Sequence, residues 1–152
     1  MKDVRVTLDT NVLYQSLHSR RGASYAILRL VRSGELHLAV SVPVYQEYQD
    51  VLLRSRVLTE TGLGRDDMLA VLDFIALVAI PTAIDFLWRP NLRDESDNMF
   101  VELAIASGSE FLITRNRRHY VFDGALKFDS FSVVTPMEFL TQWRKYHGWE
   151  SA

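Results

Sequence analysis

The sequence predicts an α/β fold with a central, mostly parallel sheet covered by helices on both faces. Short runs of β-branched and other apolar residues alternate along the chain with segments of helical periodicity. The 152 residues are 48% hydrophobic, which is enough to bury a core. No repeat, low-complexity tract or linker divides the sequence, so we expect a single domain over residues 1–152.

Five segments have the character of strands, and five have helical spacing. The strands are expected at residues 4–8, 36–42, 78–80, 111–114 and 132–134. The helices are expected at residues 25–31, 43–53, 65–77, 99–107 and 136–145. Pro43 suits a first helical turn, and Gly34 and Gly108 suit helix ends. Residues 81–96 have no clear period and are predicted to form a loop that carries the apolar patch FLW.

Composition excludes several classes of protein. The chain has no cysteine, which excludes disulfides, thiolate zinc sites and a cysteine nucleophile. Its formal charge of −2 gives no global attraction to nucleic acid, so an anionic partner would need a local basic patch or metal ions. The first residues, MKDVRVTLDT, are too polar for a signal peptide, and no apolar run approaches the roughly 18 residues of a membrane span. We therefore expect a soluble, cytoplasmic protein.

An aspartate directly follows the first predicted strand, within the stretch VRVTLDTNVL. One interpretation is structural, because Asp9, Thr10 or Asn11 would each make a good N-cap for a following helix. A functional interpretation is also open, because ligands of parallel α/β sheets bind beyond the carboxyl ends of the strands. Asp9 and Asn116 both follow predicted strands, so we expect both at that edge.

A glutamate lies on or beside the apolar side of the helix that contains VYQEYQDVL. Val44, Tyr48 and Val51 share one helix face by their spacing. Glu47 is three residues after Val44 and four before Val51. This position fits a boundary glutamate whose head reaches water, and it fits a functional carboxylate equally well.

The polar run DESD precedes the next helical stretch. Asp97 lies three residues before Phe100 and four before Val101, so it begins the inward face of that helix. Capping is a strong alternative here, because Asp94 or Ser96 would make a good N-cap and an acid in the first turn stabilises a helix. The four residues of this run cannot all act as helix caps at once. Taken alone, the cluster favours capping.

A basic run follows the fourth predicted strand, in EFLITRNRRHYVF. Asn116 comes two residues after Thr114, among Arg115, Arg117, Arg118 and His119. This arrangement fits a solvent-exposed turn whose basic side chains have no specific role. It also fits a polar metal or phosphate contact flanked by phosphate-binding arginines.

Four of these acids share a pattern, since each lies at a strand end or at an inward helix face: Asp9, Glu47, Asp94 and Asp97. Grouped carboxylates repel one another, and a divalent cation relieves that repulsion. Hard oxygen ligands without cysteine or an HxxxH pair indicate one or two Mg²⁺ or Mn²⁺ ions rather than zinc. Such ions activate water and stabilise charge in phosphodiester cleavage. Asp9 is therefore expected to hold metal.

In these motifs the sequence resembles the PIN-domain family, and within it the VapC-like ribonucleases, the toxins of toxin–antitoxin systems. LDTNVL is similar to the opening signature, in which Asp9 matches the first metal acid and Asn11 the supporting polar residue. VYQEYQDVL is similar to the second, with Glu47 as its acid. RDESDNMFVELAIASGSEFLIT resembles the third, with Asp97 as the main acid and Asp94 as the accessory one. ITRNRRHY and SFSVVTPMEFL are similar to the end of the toxin branch, so the resemblance runs nearly end to end.

The chain departs from the family pattern at the fourth motif. Many members carry aspartate two residues after the threonine, where this chain has Asn116. Asparagine can ligate a metal through its carbonyl but adds no charge. We therefore expect Asn116 to be a weaker metal ligand, with Thr114 as a supporting polar residue. Asp94 and Asp123 are candidates to restore the missing charge.

The resemblance implies a three-layer α/β/α fold and a metal-dependent endoribonuclease. In such an enzyme Asp9, Glu47 and Asp97 are catalytic, and water attacks the phosphodiester of RNA in line. A small antitoxin protein and a second copy of the chain are the implied protein partners. Expected RNA contacts are the basic residues Arg20, Arg21, Arg115, Arg117, Arg118 and His119. Arg54 and Arg56 are better explained as solvated surface, and Phe86 and Trp88 as core residues rather than base-stacking ones.

Two other functions remain open. One is a PIN module without catalytic activity that binds RNA or a protein, which the uncharged Asn116 favours. Retention of Asp9, Glu47 and Asp97 argues against it, because grouped carboxylates are costly to keep without a cation. The other is a phosphatase that forms an acyl phosphate. That enzyme would need an aspartate two residues after Asp9, where this chain has Asn11.

Overall fold

Five short strands form one parallel sheet in the order β3-β2-β1-β4-β5. The computed structural model describes residues 3–84, 98–120 and 130–148. The strands are β1 Arg5–Leu8, β2 His37–Val40, β3 Ile80–Pro81, β4 Phe111–Ile113 and β5 Ser132–Val134. The predicted α/β class with a parallel sheet is confirmed, and β1 lies at the centre of the sheet.

Helices cover both faces of this sheet. In the described residues they are α1 Thr10–His18, α2 Ala23–Arg32, α3 Val42–Leu52, α4 Ser55–Thr61, α5 Arg65–Val78, α6 Asn98–Ser107 and α7 Pro136–His147, with a short 3₁₀ helix at Arg117–Tyr120. The connections from β1 to β2 and from β3 to β4 run in opposite directions across the sheet. Because such connections are nearly always right-handed, α1 and α2 lie on one face and α6 on the other. The result is the predicted three-layer architecture.

The core forms where the apolar strands meet the inward faces of the helices. Val6, Leu38 and Leu112 on three neighbouring strands are at most 1% exposed. The inward faces of α5 and α7 are buried as well, at Met68, Leu72, Ile75, Phe139 and Leu140. Strands buried on both faces explain why their sequences are nearly continuous apolar runs rather than alternating ones.

The register of the sheet brings the carboxyl ends of β1 and β4 side by side. Leu8 pairs with Ile113, and the backbone N–H of Asp9 donates to the carbonyl of Ile113 at 2.9 Å. The next strand continues the edge, since the N–H of Thr114 donates to the carbonyl of Val134 at 2.9 Å. Asp9 and Thr114 therefore begin the chain segments that leave the same edge of the sheet.

Several element boundaries differ from those predicted. β2 ends at Val40, because Ser41 begins α3 by accepting a hydrogen bond from the N–H of Val44 at 3.3 Å. α5 continues to Val78, so the third strand is Ile80–Pro81 instead of residues 78–80. α4 was not predicted. Its seven residues are too few to show a helical period, and it ends at Gly62, whose φ of +73° favours glycine.

Gly108 ends α6 as predicted. Its φ is +68°, and the N–H of Ser109 donates back to the carbonyl of Ala104 at 3.0 Å. None of the helices in the described parts of the chain is long and apolar enough to cross a membrane.

Candidate functional site

Asp9 lies at the carboxyl end of the central strand and is 6% exposed. It occupies the N-cap position of α1, but its side chain makes no capping hydrogen bond. Its Oδ2 instead accepts hydrogen bonds from the hydroxyls of Thr114 and Tyr120, each at 2.9 Å. The capping interpretation therefore does not account for this carboxylate.

The electrostatics of Asp9 fit a cation. Burial raises the pKa of its carboxyl group, and the hydrogen bonds from Tyr120 and Thr114, with the nearby N–H groups of Asn11 and Thr10, only partly oppose that rise. Among the described residues, no lysine, arginine or histidine forms an ion pair with it. A buried carboxylate of this kind is stabilised by a bound cation.

Thr114 is the centre of a polar network around Asp9. Its side chain is fully buried, and its Oγ1 accepts from the backbone N–H of Asn116 at 3.1 Å while donating to Asp9. Asn11 approaches the same oxygen through Nδ2 at 3.5 Å, and its Oδ1 accepts from the backbone N–H of Arg115 at 3.0 Å. Asn11 and Thr114 therefore tie α1 to the segment that follows β4.

Asn116 is half-buried at the beginning of the 3₁₀ helix. Its Nδ2 lies 2.9 Å from Nε2 of His119, which fits an imidazole whose Nε2 accepts the hydrogen bond. The backbone N–H of His119 also donates to the carbonyl of Asn116 at 3.2 Å. Since its Nδ2 is engaged by His119, the amide oxygen is the atom of Asn116 that could serve as a ligand.

Glu47 lies on α3, the helix that is anchored at the end of β1. The predicted apolar face is confirmed, since Val44 and Tyr48 are fully buried and Val51 packs against the core. The hydroxyl of Tyr48 donates to the carbonyl of Leu8 at 2.5 Å, and burial together with the charge of Asp9 raises the Tyr48 pKa. Glu47, next to Tyr48, is half-buried.

The other predicted acids, Asp94, Asp97 and Asp123, lie outside the described residues, as do Phe86 and Trp88. Within residues 3–84, 98–120 and 130–148, no three side chains of the types His, Cys, Asp and Glu are grouped as a metal site would require. Of the predicted acids, the described part of the chain therefore holds Asp9 and Glu47.

A cavity of about 450 Å³ opens beside Asp9. It is lined by Asp9, Thr10, Asn11, Tyr14, Val51, Arg56, Val57, Glu60 and His119. Thr10 is 7% exposed, and its Oγ1 is buried without a hydrogen-bond partner among the described residues. A polar oxygen left unpaired in a cavity wall usually meets a water molecule or a ligand, so this cavity is suited to a polar occupant.

Five of the six basic residues predicted to hold RNA are exposed, whereas His119 is half-buried, and their contacts differ. Arg20, Arg21 and Arg118 are exposed. Nη1 of Arg115 donates to Oε1 of Gln15 at 2.8 Å. Arg117 forms an ion pair with Glu138 at 3.2 Å. Of the six predicted residues only His119 lines the cavity, where it is joined by Arg56, which the sequence did not favour.

Tyr120, Tyr14 and Glu60 were not predicted. Tyr120 donates to Asp9, and the hydroxyl of Tyr14 donates to the Glu60 carboxylate at the cavity wall, which raises the Tyr14 pKa. Tyr14 lies four residues after Thr10 on α1, so helical spacing could have directed attention to it. The sequence carries no signal for Tyr120, which contacts Asp9 across 111 residues.

Comparisons with known proteins bear on the fold and the family of this chain. The structure resembles the crystal structure of VapBC2 from Rickettsia felis bound to a DNA fragment from their promoter, with a TM-score of 0.58 and 16% sequence identity. The match covers 87% of this chain and 98% of that one, and at this identity it establishes a shared fold. A search of curated protein sequences finds no significant match. The family model described as PIN domain matches residues 5–118, three quarters of the sequence. The chain belongs to the PIN-domain family.

Proposed function

We propose that this protein is a metal-dependent endoribonuclease that hydrolyses phosphodiester bonds of RNA, and that it acts as the toxin of a toxin–antitoxin pair. The observation that carries the proposal is the carboxylate of Asp9. It is buried at the carboxyl end of the central strand, its pKa is raised by burial, and no described cationic side chain pairs with it. Membership of the PIN-domain family supports the same conclusion.

The residues present fit a hard divalent cation. Asp9 offers a carboxylate in the wall of the cavity, and Thr10 adds a buried oxygen without a partner among the described residues. We assign Asp9, Glu47, Asp94, Asp97 and Asn116 as the candidate ligands of Mg²⁺ or Mn²⁺. When bound, the cation would activate water and offset the charge that develops on the phosphate. Asn11 and Thr114 would hold Asp9 and the β4 end in register.

RNA would approach the cavity across the exposed edge that carries the basic residues. Of these residues and Arg56, His119 and Arg56 line the cavity beside Asp9. Arg20, Arg21, Arg115 and Arg118 would contact phosphates further along the strand. Arg117 must exchange its ion pair with Glu138 for a phosphate, so we expect it to contribute less.

The similar structure supports the proposed antitoxin partner, and the family resemblance alone supports the proposed homodimer. VapBC2 from Rickettsia felis was crystallised with promoter DNA, and we propose that this chain likewise pairs with a small antitoxin protein. We also propose that it forms a homodimer. Co-expression with the product of the neighbouring gene, followed by size-exclusion chromatography, tests both proposals. Separate elution of the two proteins would contradict the antitoxin assignment.

One observation favours a second candidate function. Asn116 leaves the fourth motif without its usual charge, which is the expected feature of a PIN module that binds RNA or protein without cleaving it. The cleavage experiment below distinguishes the two functions.

The test is cleavage of a fluorescent single-stranded RNA under titration with Mn²⁺ or Mg²⁺. We expect the wild-type protein to cleave in a metal-dependent manner, and Asp9→Asn and Asp97→Asn to abolish cleavage. Asp50→Asn is the matched control, because Asp50 is an exposed acid on α3, three residues after Glu47. It should leave the rate unchanged.

Binding of the RNA without cleavage, unaffected by Asp9→Asn, Asp97→Asn and EDTA, would overturn the nuclease proposal. The protein would then be a binding module, and its acids would be remnants or helix caps.

A further inference from the structure

The side chain of Tyr120 reaches the candidate metal site from the 3₁₀ helix that follows β4. Tyr120 is 4% exposed, and its hydroxyl donates to Oδ2 of Asp9 at 2.9 Å. It does not line the cavity beside Asp9. Any effect of Tyr120 on a ligand in the cavity is therefore exerted through the Asp9 carboxylate.

Tyr120 and Thr114 donate to the same oxygen of Asp9, each at 2.9 Å. A carboxylate oxygen has two lone pairs, so these two hydroxyls together satisfy Oδ2. One hydrogen bond would restrain the rotation of the carboxylate about its bond to the β-carbon only weakly, because a single hydrogen bond tolerates a wide range of angles. Two bonds from different elements fix its plane, and the lone pairs of Oδ1 then point in a defined direction.

We propose that Tyr120 is a positioning residue that, with Thr114, holds the Asp9 carboxylate in the orientation needed to bind a divalent cation through Oδ1. This inference rests on the proposed function, because it assumes that Asp9 is a metal ligand. Hydrogen bonds to ligating carboxylates commonly have this role in metal sites, where they fix the ligand before the ion arrives.

Asn116 makes this orientation more important. A site with an uncharged amide in place of one carboxylate attracts a cation less strongly at long range. Its affinity then depends more on how well the remaining carboxylates are placed beforehand. The second hydroxyl on Asp9 meets that requirement without adding charge to the site.

The chain offers a matched control for Tyr120. Tyr48 is also a buried tyrosine near the end of β1, but its hydroxyl donates to the backbone carbonyl of Leu8, one residue before Asp9. Tyr48→Phe and Tyr120→Phe therefore both remove a buried hydroxyl from the same neighbourhood. Only Tyr120→Phe removes a donor to the Asp9 carboxylate.

The experiment measures Mn²⁺ binding by isothermal titration calorimetry for the wild-type protein and the two variants, after circular dichroism has verified that each is folded. We expect Tyr120→Phe to weaken Mn²⁺ binding about 10- to 100-fold, the usual effect of losing a hydrogen bond to a metal ligand. Tyr48→Phe should lower thermal stability and leave the Kd for Mn²⁺ within about twofold of the wild-type value.

Cleavage of single-stranded RNA supplies the second readout. For Tyr120→Phe the Mn²⁺ concentration at half-maximal rate should rise, and the rate at saturating Mn²⁺ should recover to near the wild-type value. A purely structural role would lower the rate equally at every Mn²⁺ concentration, and that result would overturn the inference.

The two levels of the argument fail differently. If the wild-type protein binds Mn²⁺ and Tyr120→Phe binds it equally well, the positioning role is wrong and the proposed nuclease stands. If the wild-type protein binds neither Mn²⁺ nor Mg²⁺, the proposed function and this inference are both wrong.

Discussion

Replacing Asp9 with asparagine tests whether the cost of burying the Asp9 carboxylate exceeds the stabilisation from its hydrogen bonds. Burial raises the pKa of the Asp9 carboxyl group despite the hydrogen bonds from Tyr120 and Thr114. The folded protein therefore binds this proton more tightly than the unfolded chain does. Stability is lost as pH rises from the ordinary pKa of 3.8 through the raised folded-state pKa. Above that pKa the metal-free wild-type protein bears the full free-energy cost of burying an ionised carboxylate, and Asp9→Asn bears none of it.

The size of the effect follows from burial and from the two hydrogen bonds. A buried carboxylate costs several kcal/mol relative to water. Asparagine can keep both hydrogen bonds at its amide oxygen but loses their charge assistance, which costs about 1 kcal/mol for each. The balance is a net stabilisation of about 1–3 kcal/mol for metal-free Asp9→Asn. For a chain of this length each kcal/mol raises Tm by roughly 2–4 °C.

The assay is thermal unfolding at pH 8, first with EDTA and then with Mn²⁺. In EDTA, Asp9→Asn should melt above the wild-type protein. With Mn²⁺ at 1,000 times its Kd, the wild-type protein should gain about 4.1 kcal/mol, whereas the variant should gain little. The order of the two melting temperatures should therefore reverse when the metal is added.

The exposed acid Asp50 provides the control, since Asp50→Asn should change Tm little in either buffer. Repeating the EDTA measurement near pH 3.8 should bring Asp9→Asn and the wild-type protein together, because the unfolded-state carboxyl is then half protonated. If Asp9→Asn melts below the wild-type protein in EDTA at pH 8, the hydrogen bonds outweigh burial and the reasoning is refuted.

Three further predictions concern Glu47, Glu138 and Phe139. Glu47→Gln should lower Mn²⁺-dependent RNA cleavage by about 100-fold or more, measured beside Asp50→Asn, and an unchanged rate would remove Glu47 from the site. The hydrogen bond from the backbone N–H of Thr135 lowers the pKa of Glu138 below its usual 4.5. The Glu138 carboxylate therefore stabilises the fold above pH 4.5, and this stabilisation is lost as the pH falls through the lowered pKa. In urea unfolding, Glu138→Gln should have a lower free energy of unfolding than the wild-type protein at pH 7, and the difference should disappear at low pH. A difference that does not change with pH would contradict this cause. Phe139→Ala should lower the free energy of unfolding by about 3–5 kcal/mol in the same urea experiment. Phe139 is fully buried, and its ring centroid lies 5.3 Å from that of Phe111 and 5.8 Å from that of Trp143. A loss below about 1 kcal/mol would mean that the core closes around the cavity.

The fold was predictable because its main signals are local. Strands buried on both faces have nearly continuous apolar sequences, and helices such as α5 carry apolar residues at helical spacing. The errors fall where local signals compete or are too short. α4 has seven residues, and the end of α5 runs directly into β3, so the apolar residues on either side of Ala79 belong to two different elements.

The candidate site was predictable only in part. A carboxylate after a buried strand marked Asp9, and the structure adds that its side chain does not cap α1. The contacts that define its environment come from Thr114 and Tyr120, at sequence separations of 105 and 111 residues. They depend on the pairing of β1 with β4, and a single sequence does not specify which strands become neighbours. Tyr120 therefore had to be found in three dimensions.

The same separation has a consequence for the timing of synthesis. Asp9 leaves the ribosome before its partner Tyr120, which follows 111 residues later. At translation rates of about 5–20 residues per second, roughly 6–22 s pass between them. Until β4 and Tyr120 have been made, a nascent chain contains the first acid but cannot assemble the centre around it. For a protein proposed to attack RNA, we expect cleavage to be withheld until both have left the ribosome.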